Sequence, residues 1–335
     1  MKQAKRINVL KKVKLFDGKT REGLGDITNI GKVADACVVK REKQWWMFFG
    51  GLDIHANVVH LCSATLPEGS PLGSSNWTIT TSPDDPTQAL PLVPAPKPSA
   101  WDRTGFHCPS YARGWNPALH GGKGGWQERI YYASSRIWNL EGPYAIGCPD
   151  WNGQEWVRNA EPVFQGVEPW EHHNVAEQNV IYYDGAWRMW YCAAQSNRHS
   201  IGYAQSQDGI SGWEKRSLFF PQGAFDAAIV QVNDHYEMIA ARSPDFYTIT
   251  ASSGLWWSYA DQPSENPKEW SEPVQLLKAD DGTLWHRNGI WKPTFHYDEQ
   301  APDRRYVFFN GLYQDADAPF DVSIGRLECS VSFEE

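Results

Sequence analysis

Three carboxylates stand at the same place in three similar segments of the 335-residue chain. In each segment the acid is followed ten positions later by an aromatic residue and twelve positions later by a methionine. The three sets are Asp35, Trp45 and Met47; Glu177, Trp187 and Met189; and Asp226, Tyr236 and Met238. The chain has four methionines including the initiator, so the three others all share this register. Carboxylates held close together raise one another's pKa, which leaves one protonated while another is ionised, as acid–base chemistry requires.

The elements that would position these acids are short strands. An apolar run follows each acid, and a polar turn such as Asp184-Gly185 then leads to the aromatic residue, which is typical of a β-hairpin. A third strand follows each hairpin, and a tryptophan closes the unit at Trp77, Trp213 and Trp270. Helical periodicity is nearly absent, and 28 glycines and 22 prolines suit a turn-rich chain. The sequence therefore predicts an all-β protein built from repeated units.

Two further segments, residues 107–156 and 289–326, match the same pattern more loosely and bring the number of units to five. Five four-stranded units of this length predict a five-bladed β-propeller around a central pore. We expect a single domain over residues 1–335, with blades at about 30–80, 105–165, 172–220, 224–277 and 285–332. A β-sandwich is the alternative, and it is less favoured because a sandwich would not repeat in this way.

The first strand of each propeller blade lines the axis, so equivalent positions in different blades converge at one mouth of the pore. Asp35, Glu177 and Asp226 should therefore lie close together, and they are the candidate catalytic residues. A protonated acid beside a carboxylate is what cleavage of a glycosidic bond requires. The alternative is that the acids are turn residues at strand starts, where Asp is common. The shared register, and the presence of a Glu among the three, favour the functional interpretation.

Several runs in the third and fourth units carry a family resemblance. They are residues 184–191 (DGAWRMWY), 200–210 (SIGYAQSQDGI), 213–214 (WE), 225–229 (FDAAI) and 236–238 (YEM). With them the chain resembles the five-bladed propeller glycosidases, which include the arabinanase and xylosidase group (glycoside hydrolase family 43), the invertase-like family 32 and the mannoside phosphorylases of family 130. The resemblance extends over most of the chain as architecture. It implies that Asp35 is the base or nucleophile and Glu177 the general acid.

The arabinanase-like enzymes also hold a third carboxylate on blade two, which tunes the acid. The matching segment here, residues 106–110, reads FHCPS and contains no acid. His107 thus stands where the relatives would offer a carboxylate, and Asp226 on blade four is the candidate for the third charge. This departure leaves the type of reaction open.

Seven further residues are candidates for substrate binding because they lie near the predicted mouth of the pore. They are His107, Trp170, His173, His286, Arg287, Trp291 and Lys292. Histidine can hydrogen-bond hydroxyl groups, and tryptophan rings stack on the C–H faces of sugars. Lys292 would either bind an anionic group of the substrate or neutralise the acids. The competing interpretation is structural, since a single His is often a satisfied polar residue and most of the 18 Trp should pack between blades.

Composition excludes some partners. The formal net charge is −9, and the one basic cluster lies in residues 2–14, so we expect no nucleic-acid partner. No apolar run is long enough for a membrane span or a signal peptide, and the six cysteines are widely spaced, which predicts a cytoplasmic protein with reduced thiols and no membrane partner. We expect no cofactor and no metal site; a structural calcium on the axis is the alternative, since related propellers hold one. The oligomeric state stays open.

The sequence therefore favours a glycoside hydrolase-like enzyme that cleaves a small oligosaccharide or glycoside with paired carboxylates at the propeller axis. One alternative is the same scaffold with non-hydrolytic chemistry, that of a lyase, cyclase or phosphorylase in intracellular or specialised metabolism. The other is a non-catalytic sugar-binding propeller, since a fold does not determine a function.

Overall fold

Five antiparallel sheets account for most of the chain in the computed structural model, which describes residues 4–138, 142–195, 198–220, 223–242, 254–313 and 321–333. Within these ranges the helical elements are a four-residue helix, α1 (Leu119–Gly122), and three single 3₁₀ turns, Pro169–Glu171, Pro267–Glu269 and Leu284–His286. Each sheet is one blade of a five-bladed β-propeller, which confirms the fold predicted from the repeats.

The strands of each blade follow one another outward from the axis. Blade one consists of β2 (Lys32–Arg41), β3 (Gln44–Asp53), β4 (Val58–Thr65) and β5 (Thr78–Ile79). Blade three consists of β12 (Val175–Tyr183), β13 (Ala186–Gln195), β14 (Arg198–Ser206) and β15 (Glu214–Phe220). Blade four consists of β16 (Ala224–Val232), β17 (His235–Arg242), β18 (Gly254–Ala260) and β19 (Val274–Lys278).

Blade two differs because its outer strands are each broken in two. Its inner strands are β6 (His107–Asn116) and β7 (Gly125–Ser134). The third position is shared by β8 (Ala145–Gly147) and β9 (Pro149–Trp151), and the fourth by β10 (Trp156–Arg158) and β11 (Phe164–Gln165).

Blade five is closed by the two ends of the chain. It consists of β20 (Gly289–Asp298), β21 (Ala301–Tyr313), β22 (Asp321–Phe333) and, outermost, β1 (Ala4–Asp17). β1 runs antiparallel to β22 along the whole of its length. Sequence reasoning left residues 1–29 outside every blade, because β1 lies far along the chain from the strands that it completes.

The methionine register of the sequence is a register of strand pairs. In each of blades one, three and four, the residue three positions after the acid pairs with the methionine of the second strand. The pairs are Val38 with Met47, Val180 with Met189, and Ile229 with Met238. All three methionines are buried, so the repeat reflects one packing position used three times.

Five apolar clusters fill the spaces between neighbouring blades. Met47 lies in the cluster between blades five and one, Met189 between two and three, and Met238 between three and four. Aromatic residues dominate these layers; Trp187, for example, is fully buried and its indole N–H donates to the Trp115 carbonyl of blade two at 2.9 Å. Each blade therefore buries both faces, which fixes the direction in which its inner strand meets the axis. Among the described residues no helix has the length and apolarity to span a membrane.

Candidate active site at the propeller axis

The inner strands of four blades are interrupted by a bulge at the same place. The pairing slips after Ala34, His107, Ala176 and Trp291. The residue that follows each of these has a positive φ: Asp35 (63°), Cys108 (55°), Glu177 (50°) and Lys292 (51°). A positive φ costs about 1–3 kcal/mol for a residue other than glycine. Strained bulges of this kind recur at functional sites because they direct a side chain toward the site.

Blade four has a smaller register shift, between Ala224 and Asp226. Asp226 is the residue of this blade that corresponds to the four bulged residues, since Ile229, three positions later, pairs with Met238. We call Asp35, Cys108, Glu177, Asp226 and Lys292 the axial ring. All five are at most 7% exposed.

Hydrogen bonds between blades confirm that these positions are equivalent. In four of the blades, the side chain two positions after the axial-ring residue accepts a hydrogen bond from a neighbouring blade. The donor is the backbone N–H of the residue three positions after the axial-ring residue of that neighbouring blade. The acceptors are Cys37, Ser110, Asn179 and Thr294, and the donors are Tyr111, Val180, Ile229 and Val38, in that order. These bonds hold the five inner strands in one register around the axis.

Asp35 is held by donors on both carboxylate oxygens. The Cys108 backbone N–H donates to Oδ2 at 3.0 Å, and the Asn310 side-chain amide donates to Oδ1 at 2.5 Å. Asn310 is itself fixed, because its Oδ1 accepts the Asp35 backbone N–H at 2.7 Å. Hydrogen bonds of this kind stabilise an ionised carboxylate and define its orientation.

Glu177 lies in a different environment. Its Oε2 is buried without a hydrogen-bond partner among the described residues, and the nearest cation is the Lys292 ammonium, at 3.7 Å. Burial raises the pKa of Glu177 to about 7; the Lys292 charge opposes this shift and the Asp35 charge adds to it. Asp35 and Glu177 are thus made unlike by their surroundings, which is the condition for dividing base and acid roles between two carboxyl groups.

Lys292 and Asp226 form the other half of the ring. The Lys292 backbone N–H donates to Asp226 Oδ2, and the Lys292 ammonium donates to the Gln178 carbonyl at 3.0 Å. Burial opposes the charge on Lys292, but Glu177, Cys108 and the two aspartates outweigh it and raise its pKa. Burial, and then the Glu177 charge, raise the pKa of Asp226 well above its usual range. Asp226 is therefore the carboxyl group of the ring for which burial most strongly opposes the ionised form.

Cys108, and not His107, takes the blade-two position of the ring. The sequence pattern indicates His107, one residue earlier, for this position. The bulge in the inner strand instead turns Cys108 toward the axis. The Cys108 thiol lies 3.5 Å from Asp35 Oδ2, and its pKa is raised far above normal by burial and by the charges of Asp35 and Glu177. The blade-two position of the ring is thus occupied by a neutral thiol and not by a carboxylate.

His107 lines a small pocket beside the ring. The pocket has a volume of about 110 Å³, and Asp35 and Trp138 also form its walls. The His107 ring contacts the edges of Trp138 and Tyr144, and its Nε2 lies 3.2 Å from the Thr104 hydroxyl. Burial lowers the pKa of His107, against the opposing charge of Asp35, so the imidazole is neutral near pH 7.

The other substrate-binding candidates do not share one location. Trp170 stacks on Tyr191 within blade three, and Trp291 is buried in the apolar layer between blades four and five. His286 is fully buried, and its described contacts include Lys12, Ala279, Asp281, Trp285 and Phe309, all away from the ring.

Trp170 and Trp291 therefore contribute to the packing of the blades. Packing of this kind uses large aromatic rings, as sugar stacking does. Arg287 is exposed beyond the last 3₁₀ turn. His173 is exposed and lines a second, larger pocket on the blade-two side of the ring.

The described residues contain no group of three or more His, Cys, Asp or Glu side chains that could hold a metal ion. In addition, the Lys292 ammonium lies among the acids, so a calcium ion there would meet a positive charge. The expectation of no metal site, with an axial calcium as its alternative, stays a prediction.

Comparison of the whole chain with solved structures gives close agreement in fold and little in sequence. A family 117 glycoside hydrolase from Zobellia galactanivorans superposes with a TM-score of 0.60 at 10% identity, covering 98% of this chain and 91% of that one. An α-L-arabinofuranosidase from Podospora anserina, solved with cellotriose, gives 0.59 at 12% identity, with 91% and 93% covered. An exo-1,5-α-L-arabinanase from a bovine ruminal metagenomic library gives 0.56 at 14% identity, with 88% and 93% covered.

The chain has the fold of the propeller glycosidases. This confirms, at the level of architecture, the resemblance seen in blades three and four. No protein-family model and no curated protein matches the sequence.

Proposed function

We propose that the protein is a glycoside hydrolase-like enzyme that cleaves the glycosidic bond of a small oligosaccharide or glycoside at the axial ring. The observation that carries the proposal is the contrast between Asp35, held by two hydrogen-bond donors, and Glu177, whose buried Oε2 accepts no hydrogen bond from the described residues and whose pKa is about 7. Glycosidic cleavage needs one protonated and one ionised carboxyl group, and these two residues differ in that sense.

Glu177 is the proposed general acid. A carboxyl group that titrates near neutrality is partly protonated at the working pH and can give its proton to the leaving oxygen. Burial supplies most of that shift, and the Lys292 ammonium limits it, so Glu177 can also release the proton. Such a group contributes about 10²–10⁴-fold to a rate.

Asp35 is the proposed base or nucleophile. Its two donors, the Cys108 N–H and the Asn310 amide, orient the carboxylate and stabilise its charge. The small pocket that Asp35 lines with His107 is where the sugar that undergoes cleavage would bind. His107 and Lys292 are proposed to contact that sugar, and Asp226 is proposed to hold the Lys292 backbone in place.

The test is a panel of aryl glycosides of pentoses and hexoses, in pyranose and furanose forms, assayed with the wild type, Asp35→Asn and Glu177→Gln. We expect turnover of at least one member, and a loss of about 10²–10⁴-fold in kcat for each variant. Glu177→Gln should lose less on substrates with an acidic leaving group, because such a group needs little protonation.

Two matched controls are available. Asp184 and Glu42 also adopt a positive φ, at 49° and 54°, but they lie in exposed turns away from the ring. Asp184→Asn and Glu42→Gln should therefore retain full activity. Absence of turnover on the whole panel, or equal activity in all four variants, would contradict the hydrolase proposal.

Non-hydrolytic chemistry is the second candidate, favoured by the Cys108 thiol in place of the blade-two carboxylate. Product analysis separates the two. Turnover that requires inorganic phosphate and yields a sugar phosphate indicates a phosphorylase, and an unsaturated sugar product indicates a lyase.

We also propose a cytoplasmic location, as the sequence indicates. All six cysteines are buried and free of disulfides, which suits a reducing compartment. Fractionation of cells expressing the protein from its own gene tests this proposal.

A further inference from the structure

A second pocket lies beside the axial site, and nothing in the proposed chemistry uses it. Its volume is about 540 Å³, within the range of small-molecule sites (~300–1,000 Å³). The side chains that matter for binding are Trp101, Arg136, Tyr144, Glu161, Gln165 and His173. We call it the outer pocket.

Tyr144 joins the outer pocket to the axial site. Its ring lines the outer pocket and contacts the edge of His107, which lines the small pocket with Asp35. The backbone of Tyr144 is tied to the start of β12, since its N–H donates to Asn174 Oδ1 at 3.0 Å and its carbonyl accepts the Val175 N–H at 3.1 Å. Tyr144 is therefore held by Asn174 and Val175, which come just before Glu177 in the chain.

The chemistry of the walls indicates the ligand. Arg136 and Glu161 carry opposite charges, and Gln165 and His173 add further hydrogen-bonding groups. All four residues are exposed; Arg136 also donates to the Ser99 carbonyl at 3.1 Å, and His173 Nδ1 lies 3.2 Å from the Gly166 carbonyl. Such a set matches hydroxyl groups, which both donate and accept, better than it matches a charged ligand.

The aromatic wall is pre-formed. The Trp101 ring stacks on Tyr132 at 5.9 Å, and its indole N–H donates to the Ala160 carbonyl at 3.0 Å. Trp101 and Tyr144 thus offer ordered apolar surface beside the polar side chains, as the C–H faces of a sugar require.

We propose that the outer pocket binds a neutral sugar ring of the substrate, adjacent to the ring held at the axial site. The inference rests on the proposed function for the sugar ring at the axial site. Binding in the outer pocket does not itself depend on turnover. It predicts that the preferred ligand has at least two sugar rings, because the pocket beside Asp35 is small and the outer pocket can hold more.

The experiment measures binding by calorimetry, using a panel of methyl glycosides and the corresponding neutral disaccharides. It is carried out with Glu177→Gln to prevent turnover, and with the wild type on ice in case that variant is poorly folded. We expect at least one disaccharide to bind at least tenfold more tightly than its methyl glycoside. Arg136→Ala and Gln165→Ala should each remove about tenfold of that affinity, as the loss of one or two hydrogen bonds would, and leave methyl glycoside binding unchanged.

Arg113→Ala and Gln154→Ala are the matched controls, since both residues are exposed on the same blade but do not line the outer pocket. Equal binding by all four variants would overturn the proposal. Tighter, Arg136-dependent binding of a uronic-acid disaccharide would overturn the assignment of a neutral ring. Binding that follows the prediction without turnover in any assay would retain the outer pocket and reject the hydrolase, so the two failures are distinguishable.

Discussion

The ammonium of Lys292 on blade five lies 3.7 Å from the carboxylate of Glu177 on blade three, across the propeller axis. The residues are 115 positions apart by their numbering, and the bulges of two inner strands bring them together. This contact places a positive charge beside a carboxyl group whose pKa is about 7.

The pH dependence of activity should follow Glu177. With a pKa of about 7, the acid loses its proton as the pH rises through neutrality, so kcat should fall on the alkaline side. Lys292→Met removes the charge that favours the ionised form, and the alkaline limb should then move to higher pH. Lys292→Arg keeps the charge and should leave the limb near its wild-type position. A limb that stays in place in Lys292→Met would contradict the role of this contact.

Stability should depend on pH through the same group. The pKa of Glu177 is raised in the folded state above its usual value of 4.5, so the folded protein binds a proton that the unfolded chain has released. The free energy of unfolding contributed by Glu177 is therefore present below about pH 4.5 and is lost as the pH rises through about 7. Urea titrations between these pH values should show a smaller decline in Glu177→Gln than in the wild type, since the amide does not titrate.

Asp35 and Asp226 should respond differently to the same substitution. Asp226 has a strongly raised pKa, and its described hydrogen bond is accepted from the Lys292 N–H, which an asparagine oxygen can also accept. Asp226→Asn should lose at most about tenfold in kcat, whereas Asp35→Asn should lose about 10²–10⁴-fold. Steady-state kinetics on one substrate tests this, and equal losses in the two variants would contradict the different roles proposed for Asp35 and Asp226.

A buried ion pair joins blades four and five away from the ring. Arg305 makes two hydrogen bonds to Glu237, at 2.6 and 2.8 Å, and the Trp257 indole donates to the same carboxylate at 2.8 Å. Glu237→Gln leaves the Arg305 charge buried without its partner and should lower the free energy of unfolding by about 3–5 kcal/mol. In denaturant titrations the double variant Glu237→Leu/Arg305→Met should lose less, because no charge is then buried.

The exposed pair of Lys40 and Glu299 is the control for this measurement, and Glu299→Gln should cost less than about 1 kcal/mol. A loss in Glu237→Gln no larger than that of the control would show that the buried charge is compensated by other groups.

The six cysteines should be unreactive in the folded protein. All are buried, and burial raises the pKa of every thiol, to about 12 for Cys62 and Cys329. A thiol reagent at pH 8 should therefore modify none of the six within minutes under native conditions, and all six after denaturation. Rapid reaction of Cys108 in the native protein would indicate that the axial ring opens to solvent.

The fold could be predicted from the sequence because the same packing position recurs from blade to blade. Met47, Met189 and Met238 fill the same position between blades, so a shared spacing in the chain became a shared register in the sheets. The convergence of Asp35, Glu177 and Asp226 followed from the same register.

What could not be predicted depends on bulges and on contacts between distant loops. The bulge at Cys108 displaces the pairing within blade two, and a pattern of apolar residues does not reveal it. The outer pocket is built from loop segments around Trp101, Arg136, Glu161 and His173, none of which carries a motif. The sequence places Lys292 near the pore, but it does not show that the Lys292 ammonium contacts Glu177.

The way in which blade five is closed has a consequence for how the protein is made. β1 precedes every other described strand and pairs with β22, which follows them all, so β1 has no partner strand until β22 has been synthesised. Five of its fourteen residues are basic: Lys5, Arg6, Lys11, Lys12 and Lys14. Charges of this kind prevent a free strand edge from joining other chains. We therefore expect the basic residues of β1 to protect the nascent chain from aggregation before the propeller closes.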